Sequence, residues 1–523
     1  MSRHPALTVT AVGVLVVAVS VQPAVAVVGP LSQASGASAF PVGCNGAPQS
    51  GTTFRNTEVE PWIDVDPLDA RRLIGVYQQD RISTGGANGL GTSVSRDGGA
   101  SWTQLGVGAL PLFSRCAGAA AGSAGDYERA TDPWVTFGAD GHAYQMSLSF
   151  NDTRNLDNAM LVSESTDGGA TWGPPKELIK DTNPHVFNDK NSMTADPHDA
   201  DNVYAVWDRL VFPNERAGGV SFLTAAAFRG PTYFTRTTDG GATWEPARNI
   251  FDPGQNDQTI GNQISVTGQG DLVNIMTVFR NDNATGRQGG TISVLRSADD
   301  GATWSGEIVV DRLGTVGVRD PRDGADVRTG DIIPSIATDE RPGHDEVYAV
   351  WQDARWNGFQ RDQIAFSKSA DGGRTWSQAV RINAVAATQA FTPAIEVDDA
   401  GNIAVTHYDF RNDTTASTSL DTDVWVLRSA DGGATWSEER VTPTSFDMRQ
   451  APNARGFFVG DYIGTAAAGQ TFTPYFSMSN PATDTFSTTV TAPFPPATIT
   501  PEPSPPGLSG ARFPVNRGKP APA

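Results

Sequence analysis

One eight-residue stretch organises this sequence, and it occurs six times. SRDGGASW begins at Ser95, STDGGATW at Ser165, TTDGGATW at Thr237, SADDGATW at Ser297, SADGGRTW at Ser369 and SADGGATW at Ser429. Each copy reads as a tight hairpin. The Asp carboxylate accepts bonds from nearby backbone N–H groups and from the Ser/Thr hydroxyl, glycine takes the φ > 0 position, and Trp packs into the sheet. The aspartates Asp97, Asp167, Asp239, Asp299, Asp371 and Asp431 follow one another at steps of 70, 72, 60, 72 and 60 residues. That period holds four strands and their loops, the size of a propeller blade or somewhat more.

A paired apolar pattern precedes every copy: Trp62 to Arg81, Trp134 to Asp152, Met193 to Arg209, Ile264 to Asp282, Pro334 to Arg355 and Ala394 to Asp413. These read as hairpins of two inner strands, with Asp, Gly, Asn and Pro at the turns. A seventh pair, Gly460 to Asn480, is followed by no copy of the motif. The expected fold is all-β: a β-propeller of seven blades over residues 54–492, its last blade completed by a strand near Phe54 so that no long sheet edge stays open. Six blades with an appended sheet is the alternative.

The ends of the chain differ in composition from this repeat. MSRH is followed by an apolar run from Ala6 to Val21 and a small-residue site at Ala24-Val25-Ala26, the pattern of a secretory signal peptide over residues 1–26. The protein is therefore expected to be secreted and extracellular. Residues 27–53 form an N-terminal segment, and the Pro-rich residues 493–523 read as a disordered tail. In an oxidising exterior the two cysteines, Cys44 and Cys116, are expected to pair and clip the N-terminal segment onto the loop after the first motif. With 55 Gly, 35 Pro and 12 Trp the chain is turn-rich, and a formal charge of −20 lacks the basic footprint of a nucleic-acid or anionic-membrane partner. His142, His185, His198, His344 and His407 show no ligand spacing, so no metal is expected. Ca²⁺ at an acid-rich turn such as Asp196 to Asn202 is the alternative to an ordinary hairpin turn.

The repeated motif, S/T-x-D-x-G-x-T-W, resembles the Asp box of sialidases and related proteins with bacterial neuraminidase repeats, and its six copies extend the resemblance over most of the chain. In that family the box joins the outer strands of a blade, so the six Asp-box aspartates are structural. The resemblance implies a glycoside hydrolase that releases terminal sialic acid from glycans, an exo-α-sialidase, acting as a monomer on a glycoconjugate. A non-catalytic glycan-binding or adhesive propeller and a glycosidase of different specificity are the alternatives.

Sialidases hold the substrate carboxylate with several arginines and use a Tyr nucleophile, since a neutral phenol avoids repelling the sugar's own charge. The loops expected on one face are rich in acid–base pairs, which the resemblance turns into candidates. Asp80, Glu128 and Tyr462 are the catalytic candidates, with Tyr408 as a second Tyr. Arg81, Arg129, Arg355, Arg411 and Arg455 are the substrate-binding candidates, and ion pairs holding the ring are the competing reading of each. The family's opening aromatic-Arg-Ile-Pro motif is absent: FRNTEVEPWIDV keeps Pro61, places Val59 at the Arg position and leaves Arg55 out of register.

Overall fold

The computed structural model describes Met1 and residues 27–153, 155–212, 229–282, 287–414, 416–479 and 481–508; the expected signal peptide and the last part of the tail lie outside them. The fold is all-β, with two short 3₁₀ turns at Arg355–Asn357 and Met448–Gln450 among the described residues. None of the described helices is long and apolar enough to cross a membrane.

Six antiparallel units carry the repeated motif. Unit one is built from Glu58–Val65, Leu73–Arg81, Ala87–Ser95 and Thr103–Gln104, and unit two from Arg129–Phe137, Ala143–Phe150, Asn158–Ser165 and Lys176–Asp181. The first strands of units three to six are Val186–Ala195, Gln258–Val266, Ser335–Thr338 and Ala390–Val397, each followed by three more strands in the same order. A seventh unit pairs Gly464–Ala468, Thr471–Ser479 and Thr483–Ser487. The seven first strands touch their neighbours in chain order, and the seventh touches the first. Distant parts of the chain thereby share one axis.

The motif holds each unit's third strand to its fourth. In the first copy Ser95 Oγ donates to Asp97 Oδ1 at 2.9 Å, and Asp97 accepts from Ser101 N at 2.8 Å and Ser101 Oγ at 2.5 Å. Gly98 and Gly99 have φ of 75° and 86°, a conformation that a side chain would strain. In the third and fourth copies the Thr243 and Thr303 hydroxyls, helped by their backbone N–H groups, hold Asp239 and Asp299 down at about 2.

Both termini depart from expectation. The strand that completes unit seven is Ser32–Gln33, paired with Phe486 and Ser487; the chain near Phe54 instead borders unit one, where Phe54 N donates to Arg81 O. Two residues are too few for an alternating pattern to announce a strand. Cys44 and Cys116 are joined in a disulfide with Cα atoms 4.8 Å apart. The Pro-rich segment follows the surface through residue 508 rather than leaving it at 493. Phe494 packs on a hydrophobic core, Ile499 bridges to Trp436, and Glu502–Pro503 pairs with the short strand Val380–Arg381. Pro at a sheet edge leaves no N–H to offer a further strand, so this segment caps the edge it covers.

Candidate functional site

Near its start each of five first strands slips register and carries a residue with positive φ. These are Glu60 (53°), Asp132 (50°), Lys190 (48°), Gly261 (72°) and Thr392 (50°). For the four that are not glycine this backbone costs about 1–2 kcal/mol each. Bulges re-aim side chains, and strain of this kind persists where the surrounding structure over-determines it. Around the axis they leave a hollow lined by Trp62, Trp134, Lys190, Gly261, Thr392 and Tyr462, among others. Trp62 and Trp134 stack there with centroids 3.5 Å apart, and Tyr462 tilts against Trp134 at 5.5 Å.

Charge gathers at this hollow. Lys190 Nζ lies 2.9 Å from Glu60 Oε1, 3.2 Å from Asp132 Oδ1 and 2.9 Å from Asp461 Oδ2. Arg328 forks onto Asp461, its Nε donating to Oδ1 at 2.9 Å and its Nη2 reaching Oδ2. Gln78 ties Glu60 to the next guanidinium: its Nε2 contacts Glu60 Oε2, and its Oε1 accepts from Arg81 Nη1 at 2.7 Å. The Phe458 ring lies under both Arg81, at 4.7 Å, and Arg328, at 4.3 Å.

The electrostatics follow from burial and crowding. Burial raises Glu60 despite the pull of Lys190. Burial would raise Asp461 as well, but Arg328 and Lys190 outweigh it and hold Asp461 well below the usual carboxylate range. Arg81 is pushed down to about 10 by burial and then by Arg328, and Arg455 to about 9 by burial, Arg328 and, less, Arg81. Three guanidiniums thus crowd one another, and an arriving anion relieves that repulsion. Burial, with Glu60, Asp132 and Asp461 nearby, raises the Tyr462 phenol. Its Oη donates to Pro133 O at 3.1 Å.

Of the candidates from sequence, Arg81, Arg455 and Tyr462 meet here, and the rest hold loops. Asp80 accepts from Asn56 N at 2.8 Å, Ser38 Oγ at 2.8 Å and Asn88 Nδ2 at 3.0 Å, and pairs with Arg55 at 3.3 Å; it fastens the N-terminal segment. Glu128 accepts from Asp152 N at 2.9 Å and Thr153 N at 3.0 Å. Arg129 pairs with Asp152 at 2.8 Å and donates to Gly85 O at 2.7 Å. Arg355 joins Asp353 at 2.7 Å and Asp311 at 2.8 Å, and Arg411 joins Asp409 and Glu438 at 2.5 Å each. Tyr408 Oη donates to Ser477 O at 2.9 Å.

Sequence reasoning passed over Glu60 and Asp132 and left Lys190, Arg328 and Asp461 among many loop charges. The available signal was an acid-Pro-Trp triplet, Glu60-Pro61-Trp62 and Asp132-Pro133-Trp134, at the same place in two hairpins. At the turn considered for calcium, Asp196 accepts from His198 N at 2.8 Å and from Tyr204 Oη at 2.9 Å, bonds that an ordinary hairpin turn makes. Among the described residues, metal-ligand spacing is found at Asp339, His344 and Glu346, where Arg341 also occupies Asp339.

Residues 231–455 match the BNR repeat-like domain family. That match spans the boxes at Asp239, Asp299, Asp371 and Asp431. No curated protein matches it in sequence. Among solved structures, the chain is similar to the Hadza microbial sialidase Hz136, with 16% identity over 80% of this chain and 73% of that one and a TM-score of 0.46. It is also similar to the leech intramolecular trans-sialidase (11%, 84% and 92%, TM-score 0.42) and to the Penicillium chrysogenum α-L-arabinanase (13%, 69% and 91%, TM-score 0.42).

Proposed function

We propose that this protein is a secreted, monomeric, seven-bladed β-propeller that works as a sialidase-type glycoside hydrolase, releasing a terminal anionic sugar from glycans. The seven units, whose first strands contact in a cycle, support the blade count. The observation that carries the function is the meeting of Arg81, Arg328 and Arg455 with buried carboxylates and a phenol where the bulged strands converge.

In this reading the guanidiniums hold the carboxylate of the sugar, where bidentate pairing is geometrically easy. Tyr462 Oη attacks the anomeric carbon as the glycosidic C–O bond breaks. Its proton passes to Asp132, the neighbour of the Pro133 carbonyl it already touches. Glu60, favoured in its protonated form by burial, gives its proton to the leaving oxygen. Water then releases the sugar from Tyr462, with Glu60 now acting as base.

The test is release of fluorophore from an aryl sialoside, beside aryl glycosides of neutral sugars. The reading predicts release from the sialoside, lost in Tyr462→Phe. Release from neutral glycosides alone assigns another specificity, in which two of the carboxylates act directly. One observation favours a second reading, glycan binding without turnover: the Tyr462 hydroxyl is bonded to a carbonyl and not to a carboxylate. Retention on a glycan array with no release from any glycoside would establish it.

A further inference from the structure

Away from the axis, the seams between units are closed by a recurring pair of side chains. At two seams the third-strand residue five positions before an Asp-box aspartate is a Phe that meets the box Trp of the next unit. Phe234 packs edge-on against Trp304 with centroids 5.3 Å apart, and Phe366 against Trp436 at 5.2 Å. Behind them Tyr204 and Tyr348 stack on the two Phe rings at 6.4 and 6.0 Å. In units three to five the residue three positions before the aspartate is basic and reaches the carbonyls of the next box: Arg236 to Asp299 O at 3.3 Å, Lys368 to Gly432 O at 2.7 Å, and Arg296 to Gly372 O.

The seam between units two and three carries an acid, Glu164, where units three to six carry a base, and Val162, like Val294 and Val426, where units three and five carry Phe. A carboxylate cannot donate to a carbonyl, and Lys176 from the fourth strand reaches Gly241 O in its place. An open groove lies at this seam, bounded by Tyr144, Val162, Glu164, Trp172, Lys176 and Trp244. Both tryptophans are partly exposed. Among the described residues, Lys176 Nζ lies 3.7 Å and the His142 ring 3.6 Å from the Glu164 carboxylate. Tyr144 is 1% exposed and its Oη has no hydrogen-bond partner among the described residues.

We propose that this groove is a second binding site, separate from the axial one, for a neutral hexopyranose of a glycan chain. The groove exposes Trp244 and Trp172 beside Glu164 and Lys176, and the C–H face of a pyranose stacks on such a ring while its hydroxyls meet the charged groups. Sugar hydroxyls supply what the groove's polar groups need: donors for the Glu164 carboxylate, acceptors for the Lys176 ammonium, and a partner for Tyr144 Oη. An aromatic side chain of a protein partner would stack there but leave those groups desolvated and unsatisfied. One carboxylate facing one ammonium gives no excess positive charge, so the site takes a neutral sugar rather than an acidic one. The inference does not depend on turnover at the axis.

The test is native affinity electrophoresis of the full chain in gels containing a soluble β-glucan, an α-glucan or a galactomannan. Retardation in at least one gel is expected. Val162→Phe, which installs the ring that Phe234 and Phe366 supply at two other seams, should raise the apparent dissociation constant at least about tenfold, with Tm unchanged or higher. Glu164→Gln should weaken retardation as well, and it carries the test if Val162→Phe fails to fold. Arg328→Ala, at the axial cluster, should leave retardation intact. The proposal is overturned by absence of retardation in every gel, by retention in Val162→Phe equal to that of the wild type, or by loss in Arg328→Ala alone. A change in Trp fluorescence with p-cresol but with none of the sugars would assign the groove to a protein partner and likewise overturn it.

Discussion

The Asp boxes and the axial ring use the same residue types to opposite ends. At the rim, Asp239 and Asp299 sit in solvent, and each is satisfied within its own turn by a threonine hydroxyl and backbone N–H groups. That arrangement recurs in all six boxes. At the axis, the equivalent bulge positions hold an acid, an acid, a base, a glycine and a threonine in Glu60, Asp132, Lys190, Gly261 and Thr392. Glu60 and Asp132 share Lys190 as their partner, and the charges are buried and mutually dependent. In a ring of repeats, what is repeated holds the ring, and the positions where repetition stops are where chemistry can be built.

That contrast can be broken by substitution. Lys190→Met should have the largest effect, since it leaves Glu60, Asp132 and Asp461 facing one another. A loss of about 3–5 kcal/mol is expected from the urea midpoint, and an unchanged midpoint would show that the axial charges are not interdependent. Arg455→Ala should lower kcat/KM on a sialoside at least about a hundredfold with little change in Tm, because it also relieves the crowding with Arg81 and Arg328. Asp431→Ala should do the reverse: removing the bonds from Thr435 N and Oγ1 should lower Tm by about 2–4 °C and leave kcat/KM unchanged. Asp80→Asn should behave like the box variant, lowering Tm by loosening the N-terminal segment, with kcat within about twofold of wild type. A hundredfold drop would return Asp80 to the role of general acid.

The smallest expected effect sharpens the comparison through pH. Box carboxylates lie low, but Asp331 and Asp362 are raised by burial to about 7 and about 6, and both accept from the single hydroxyl of Thr315, at 2.8 and 2.7 Å. A folded-state pKa above the unfolded value means that the folded chain binds more protons between the two. The stabilisation is complete below about pH 4 and lost as pH rises through 6 and 7. Tm should therefore fall from pH 5 to pH 8, and Asp331→Asn should flatten that slope. A Tm that rises over this range would contradict the assignment.

Much of the scaffold was legible in the sequence because its physics is local. The boxes carry their own bonds, so six of them announce six strand pairs, and the hairpins before them alternate as strands should. The unread parts depend on contacts between distant segments. Ser32–Gln33 becomes a strand only because Thr483–Ser487 offers an edge, and the Pro-rich segment is ordered only because Val380–Arg381 leaves one uncovered. Within the site, Arg81, Arg455 and Tyr462 could be found by their place in the repeat. Glu60 and Asp132 could not, because a bulge adds one residue and turns to the axis a side chain that simple alternation would assign elsewhere. Glu128, Arg129, Arg355 and Arg411 look the same in sequence as site residues; only their bonds to Thr153, Asp152, Asp353 and Asp409 show that they hold loops.

The most direct test of the axial site is a crystal of the protein soaked with a dehydrated sialic acid analogue, refined for the ligand's position. The account predicts density in the hollow beside Trp62 and Tyr462, with the ligand carboxylate within about 3 Å of the guanidiniums of Arg328 and Arg455. Density beside Asp80 and Glu128 instead, or an empty axis in a protein that cleaves sialosides, would contradict it.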